Sequence, residues 1–238
     1  KPRRAIRTGM SRRSVFPLIA FLGLALSGCQ ILPEGRGDSA ARDTPPPIDR
    51  SGGGQSTSDS DRRCLGNLAA SGSRFVRIDN RNDGPGCFFT GGLSLVEVRG
   101  DRSPVSVTNL RAVQCTAANA LSGWARFGVD RAAREYLGSG LARIETMGSY
   151  SCRNVAGTSR RSGHARAEAI DIGAFVLEDG RRISLLDDWN GGTSAERKFL
   201  RRIHESACKR FGTVLGPDYN AAHRDHFHVE TGGGGFCR

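Results

Sequence analysis

Ser162-Gly-His164-Ala-Arg-Ala-Glu-Ala-Ile-Asp171 runs into the apolar stretch Ile172-Gly-Ala-Phe-Val176, and Asp225-His226-Phe-His228-Val-Glu230 follows near the end of the chain. In a strand successive side chains alternate between faces. Over residues 169–176 that puts Asp171 and Gly173 on one face and Ile170, Ile172 and Ala174 on the other; downstream, His226, His228 and Glu230 share a face opposite Phe227 and Val229. Both segments read as half-buried strands with apolar backs. His164, seven residues before Asp171, arrives from a loop. If His164, Asp171 and His228 converge, they present two imidazoles and one carboxylate, the three-ligand set that holds Zn²⁺ while leaving a fourth position for water. A His-x-His on a strand is by itself more often an exposed face. Here three of the five histidines (His223, His226, His228) fall within six residues, with an acid and another His upstream.

Ser162-x-His164-x-x-Ala167-x-Ala169-x-Asp171 followed by a terminal His-x-His resembles the zinc superfamily of lysostaphin-type endopeptidases, D-Ala-D-Ala carboxypeptidases and the hedgehog signalling domain. The run from Cys64 to Cys237 more closely resembles the bacterial extensin-like C-terminal domain, through Gly148-Ser-Tyr-Ser-Cys-Arg153, Asp188-Trp189 and Thr213-Val-Leu-Gly-Pro-Asp-Tyr-Asn-Ala-Ala-His-Arg-Asp-His-Phe-His228. The resemblance implies an α+β domain whose small antiparallel sheet bears one Zn²⁺ on His164, Asp171 and His228, flanked by helices and stapled by disulfides.

It also implies roles for the neighbours. Asp225 stands where the carboxypeptidase branch carries its acidic base, and His226 where the endopeptidase branch carries a catalytic His. Asp225 is favoured as general base, with His226 hydrogen-bonding the water or the oxyanion; the competing role for Asp225 is to fix the tautomer of a ligand imidazole. Arg153 is a candidate clamp for a carboxylate or oxyanion, since its guanidinium presents a planar fork, although Ser-Cys intervenes where the carboxypeptidase signature runs from Tyr directly to Arg. A plain surface charge is its alternative. His223 and Ser162 are expected beside the substrate. Ala167 occupies a position where that signature has Gly.

The chain of 238 residues is 37% hydrophobic and 25% charged, the balance of a globular protein with something appended. Lys1–Arg13 is basic and free of acids, and the apolar run from Phe16 to Leu26 is too short for a confident membrane span, so residues 1–28 read as an export signal. Leu26-Ser27-Gly28-Cys29 resembles the bacterial lipobox, which makes Cys29 the expected lipidation site of a periplasmic protein tethered to the membrane, with Gln30 fitting the outer one; the rival is an ordinary signal peptide with an incidental Cys. Residues 1–28 carry six Lys and Arg and no acid, so without them the formal net charge of +11 falls to +5. With scattered arginines, three Tyr and two Trp, nothing calls for nucleic acid as a partner. The remaining basicity suits the carboxylates and phosphates of a cell wall.

Residues 29–63, rich in Gly, Ser, Asp, Arg and Pro, have too little apolar surface to offset ordering entropy and read as a flexible tether. Residues 64–238 form the expected domain. Cys64, Cys87, Cys115, Cys152, Cys208 and Cys237 form an even set in an exported domain, which argues for three disulfides in any of fifteen pairings. Zinc-thiolate sites are disfavoured, because no pair has the two-to-four-residue spacing.

The periodicities predict a strand over 93–98, a helix from Asn109 to about Trp124, a second short helix capped by Asp130 and ending near Gly138, and a strand over 141–147. Glu178-Asp-Gly180 reads as a hairpin turn with 181–186 as the return strand. Thr193 with Glu196 reads as a capping box for a helix through Phe211, stopped by Gly212, with His204 off its apolar stripe and solvated. Residues 215–220 form a loop delivering the final His cluster.

The expectation is a lipid-anchored zinc hydrolase of amide bonds in peptidoglycan peptides. The rivals are a non-catalytic, zinc-stabilised module that binds the wall and a disulfide-stapled lipoprotein without metal.

Overall fold

The structure is a computed structural model that describes residues 58–238. The expected signal, the expected lipidation site Cys29 and the expected tether as far as residue 57 lie outside the described residues. The first described helix starts before Cys64: Ser58 caps it by accepting the Asp61 N–H at 3.1 Å. That helix, α1 (Asp59–Ala70), buries Leu65 and Leu68, and Cys64 bonds to Cys115.

The chain then runs through β1 (Arg74–Arg77), a small separate ribbon of β2 (Arg81–Asn82) and β3 (Phe88–Phe89), β4 (Leu93–Arg99), β5 (Pro104–Thr108), α2 (Cys115–Trp124), β6 (Leu141–Gly148), β7 (Ala169–Leu177), β8 (Arg182–Ser184), α3 (Leu185–Asp188), α4 (Ser194–Cys208), β9 (Thr213–Leu215), β10 (Phe227–Glu230) and β11 (Phe236–Cys237). The main sheet has nine strands in the order β1-β4-β5-β6-β7-β10-β9-β11, with β8 also on β7. It is larger than expected and mostly antiparallel; β5–β6 and β9–β11 pair in parallel. The class is therefore α+β, with three disulfides: Cys64–Cys115, Cys87–Cys152 and Cys208–Cys237.

Three helical expectations need correction. Residues 109–114 form no helix: Asn109 takes a left-handed φ of 58°, Val113 and Leu93 exchange backbone bonds of 2.8 and 2.9 Å, and Leu95 N–H reaches Leu110 O at 2.9 Å. Leu110 and Val113 do enter the core, but from a strand-like bridge, a case in which a three-residue spacing does not discriminate. Asp130 begins no new helix, since α2 continues in π-helical turns over Ala125–Asp130 and Ala133–Leu137 before Gly138 ends it at φ 70°. Its buried carboxylate instead accepts the N–H groups of Asp101 (2.8 Å) and Leu141 (2.7 Å), joining helix to sheet. The capping box of Thr193 and Glu196 is present, yet α4 stops at Cys208, and Phe211 enters the core from the loop beyond. The return strand is also short, because Ser184 accepts the Asp187 N–H at 3.0 Å and starts α3.

The core lies between the helices and one face of the sheet. Trp124 is fully buried, donates Nε1–H to Ile203 O (3.1 Å) and Ser206 Oγ (2.9 Å), and meets Phe175 and Phe211 edge to face. Ile170, Ile172, Phe227 and Val229 belong to the same core, so the alternate side chains of β7 and β10 face away from the helices. A bulge changes this within β7. Glu145 pairs with Ala174 but Thr146 with Ile172, leaving Gly173 as an extra residue. Beyond it the core positions switch to Phe175 and Leu177, so Ala174, although buried, does not continue the stripe of Ile170 and Ile172.

Candidate metal centre

Antiparallel pairing of β7 with β10 sets His228 directly opposite Asp171, on the face opposed to the core. His164 comes from a short 3-10 turn, Gly163–Arg166, capped by Ser162, whose buried Oγ accepts the His164 N–H at 3.4 Å. Ala167 ends that turn in the left-handed region, at φ 57° and ψ 24°, and this backbone reversal brings the chain from His164 back into β7. Ala167 thus stands at a position whose backbone favours Gly.

His164 Nε2, His228 Nδ1 and Asp171 Oδ1 form a triangle with sides of 3.0, 2.9 and 3.2 Å. The remaining ring nitrogens are engaged: His164 Nδ1 with Ser149 O at 2.5 Å and His228 Nε2 with the Glu230 carboxylate at 3.5 Å. Protons placed on those outer nitrogens leave two imidazole lone pairs and a carboxylate converging on one point. Lone pairs so close repel unless a cation sits among them. Bonds of about 2.0–2.1 Å in tetrahedral array separate ligand atoms by roughly 3.3 Å, so these residues fit a small divalent ion. The ligand atoms of His164, Asp171 and His228 all lie within 4.8 Å of one another, as do those of His204, Cys208 and Cys237. In the second group the Cys208–Cys237 disulfide removes the thiolates that a metal needs.

The electrostatics agree with the donor set. Burial pushes the Asp171 carboxyl up, but hydrogen bonds and charge from His164 and His228 outweigh it and hold the group well below the usual carboxylate range. Burial pulls the His228 imidazole down, while Asp171 and Glu230 raise it to about 9.

His226 and Asp225 stand next to this triangle. His226 Nε2 lies 3.6 Å from Asp171 Oδ1, and its Nδ1 is 2.9 Å from Asp225 Oδ1. Asp225 therefore sits behind His226, and among the described residues it has no hydrogen bond to a ligand imidazole. The hydrogen bond to His226 keeps the Asp225 carboxyl low. Arg153 Nη2 lies 3.6 Å from Asp171 Oδ2, with the side chain 48% exposed. The His223 ring pairs through Nδ1 with Asn220 Oδ1 at 2.7 Å and packs 5.1 Å from the His226 ring; burial and the neighbouring His226 and His228 lower it to about 4. Arg153, Ser162, His223, His226 and His228 all line a single cleft of about 600 Å³.

The sequence profile described as "Extensin-like protein C-terminus" matches residues 62–238. The chain belongs to this family. No curated protein and no solved structure matches the chain. In this family member the profile takes in α1 from its first turns, all three disulfides and the whole triangle.

Sequence reasoning missed part of the support. Glu230 was legible as a neighbour of His228, two residues along one strand face, and the missing step was to give it that imidazole as a partner. The Ser149 carbonyl carries no side-chain signal at all. His204 is half-buried rather than freely solvated: its ring packs at 5.9 Å from Trp189 and 5.3 Å from Phe227, the reverse side of β10, and its Nε2 lies 3.2 Å from Arg238 O.

Proposed function

We propose that this protein is a zinc-dependent hydrolase of amide bonds in peptidoglycan peptides, exported and held to the membrane through a lipid on Cys29. The observation that carries the proposal is the convergence of two tautomer-fixed imidazoles and one carboxylate beside an Asp–His pair on the wall of an open cleft. Two nitrogens and one oxygen are a borderline-hard set that suits Zn²⁺. When bound, such an ion acts as a Lewis acid toward a carbonyl and lowers the pKa of water to about 7.

The residues then divide the remaining work. His226, with Nδ1–H given to Asp225, holds a lone pair on Nε2 toward the cleft; it accepts the proton of the attacking water and returns it to the leaving amine, a service worth roughly a hundred- to ten-thousand-fold. Asp225 keeps that tautomer and stabilises the imidazolium as it forms. Arg153, half-exposed beside Asp171, would offer its fork to the developing oxyanion. His223, held uncharged, adds no cation beside His226 as the latter is protonated.

Purified muropeptides incubated with the protein, its metal content read by elemental analysis, test the reading. Cleavage that is lost in His228→Ala together with the metal, and lost in His226→Ala with the metal retained, supports it. About one equivalent of zinc with no cleavage of any muropeptide would instead favour the non-catalytic wall-binding module, and less than about half an equivalent at neutral pH the metal-free lipoprotein.

A further inference from the structure

The cleft carries a guanidinium to which the proposed chemistry gives no work. Residues 152–162 form a flap. Asn154 bridges Arg161, Val155 N–H bonds Arg160 O at 2.9 Å, and Thr158 N–H bonds Val155 O at 3.0 Å. The root is fixed twice, by the Cys87–Cys152 disulfide and by Arg161, whose guanidinium donates to Pro85 O at 2.9 and 3.1 Å and to Asn154 Oδ1 at 3.0 Å. Arg160 sits on this braced flap, exposed and lining the cleft.

Its neighbours' charges are committed. Arg166 pairs with Glu168 at 2.8 Å, and Glu230 engages His228. Arg153 faces Asp171, a ligand carboxylate. Among the described residues no carboxylate pairs with Arg160, and the cleft lining includes no acid besides Glu230. An arginine held on a braced loop, over a cleft whose own acids are occupied, is pre-organised for an anion that arrives with the ligand.

We propose that Arg160 is a specificity-determining residue that binds a carboxylate of the substrate away from the reacting bond, so that the substrate class is an acidic peptide with a free carboxyl group. This rests on the cleft serving as the substrate site, as the proposed function has it, and narrows what that site accepts. A carboxylate meets the fork through paired N–H···O bonds; a neutral amide offers one weaker acceptor.

The probes are purified muropeptides and the same muropeptides with every carboxyl group converted to the amide. Their binding to the metal-loaded protein is measured by calorimetry in the wild type and in His226→Ala, which suppresses turnover without touching the flap. The acid form is expected to bind at least about tenfold more tightly than the amide. Arg160→Ala should remove that preference, Arg160→Lys should restore part of it, and Arg224→Ala, an exposed arginine outside the cleft lining, should leave it intact. Equal binding of acid and amide by the wild type, no binding of either, or a preference surviving Arg160→Ala would each overturn the assignment. Acid preference that depends on Arg160 in a protein that cleaves no muropeptide would uphold it while sinking the hydrolase reading.

Discussion

Glu230 Oε2 lies 3.5 Å from His228 Nε2, and Gly163 makes room for it: a Cβ at Gly163 would abut the Glu230 carboxylate, 2.8 Å from Oε2. Carboxylates behind metal-bound imidazoles fix the tautomer and raise ligand basicity. Glu230→Gln is therefore expected to weaken zinc binding roughly ten- to a hundredfold. Gly163→Ala should do likewise, since a flexible carboxylate can move aside without unfolding the sheet. Chelator competition gives the affinity and urea denaturation the stability; unchanged affinity in both variants would remove Glu230 from the site.

Asp225 acts through His226 if the pair is arranged as the 2.9 Å contact indicates. His226→Ala should lower kcat by about two to four orders of magnitude, and Asp225→Ala by less. The double variant should be no worse than His226→Ala alone, because residues acting as a unit are not additive. Losses that multiply in the double variant, under steady-state amide hydrolysis with zinc content matched, would show that Asp225 works independently as a base.

His204 lies between Trp189 and Phe227, and burial, only partly countered by the Arg238 carbonyl and Asp218, lowers it from its ordinary value of 6.5. Unfolding lets this group take up a proton that the folded state resists. Its contribution is thus whole above pH 6.5 and declines as pH falls through the folded value. His204→Gln should flatten the loss of stability below pH 6.5 relative to wild type. Parallel denaturation midpoints for the two proteins across that range would contradict it.

Ala167 holds φ 57°, a conformation costing an L-residue about 1–2 kcal/mol. Glycine relieves that strain, yet loses a buried methyl worth about 0.8 kcal/mol and adds about 0.5–1 kcal/mol of chain entropy to the unfolded state. Ala167→Gly should accordingly fall within about 1 kcal/mol of neutral by urea denaturation. A destabilisation beyond about 2 kcal/mol would mean that packing of the methyl dominates.

Period-two alternation made β7 and β10 readable, because Asp171 and His228 face opposite to residues that must be buried. The register setting them side by side depends on backbone pairing across 57 residues, which alternation alone does not specify. Thr193 and Glu196 announced α4 through local hydrogen bonding, whereas its end at Cys208 did not show, since Phe211 keeps the apolar spacing while leaving the helix. Asp130 looked like a cap because Asp often is one; its true partners, the N–H groups of Asp101 and Leu141, are tertiary. The order of Asp225 and His226 is likewise a matter of rotamers, and adjacent positions in sequence do not reveal which stands in front.

The single inserted glycine in β7 divides that strand into two territories. Up to residue 173 the odd-numbered positions look outward beside Asp171, while residue 175 lies beneath Trp124. Anyone wishing to graft a fourth protein ligand or a reporter group next to the triangle would find a foothold at position 173, where an added Cβ would stand 3.0 Å from Met147 Cε, a flexible tip that can yield. The same graft two residues later would land in the hydrophobic interior.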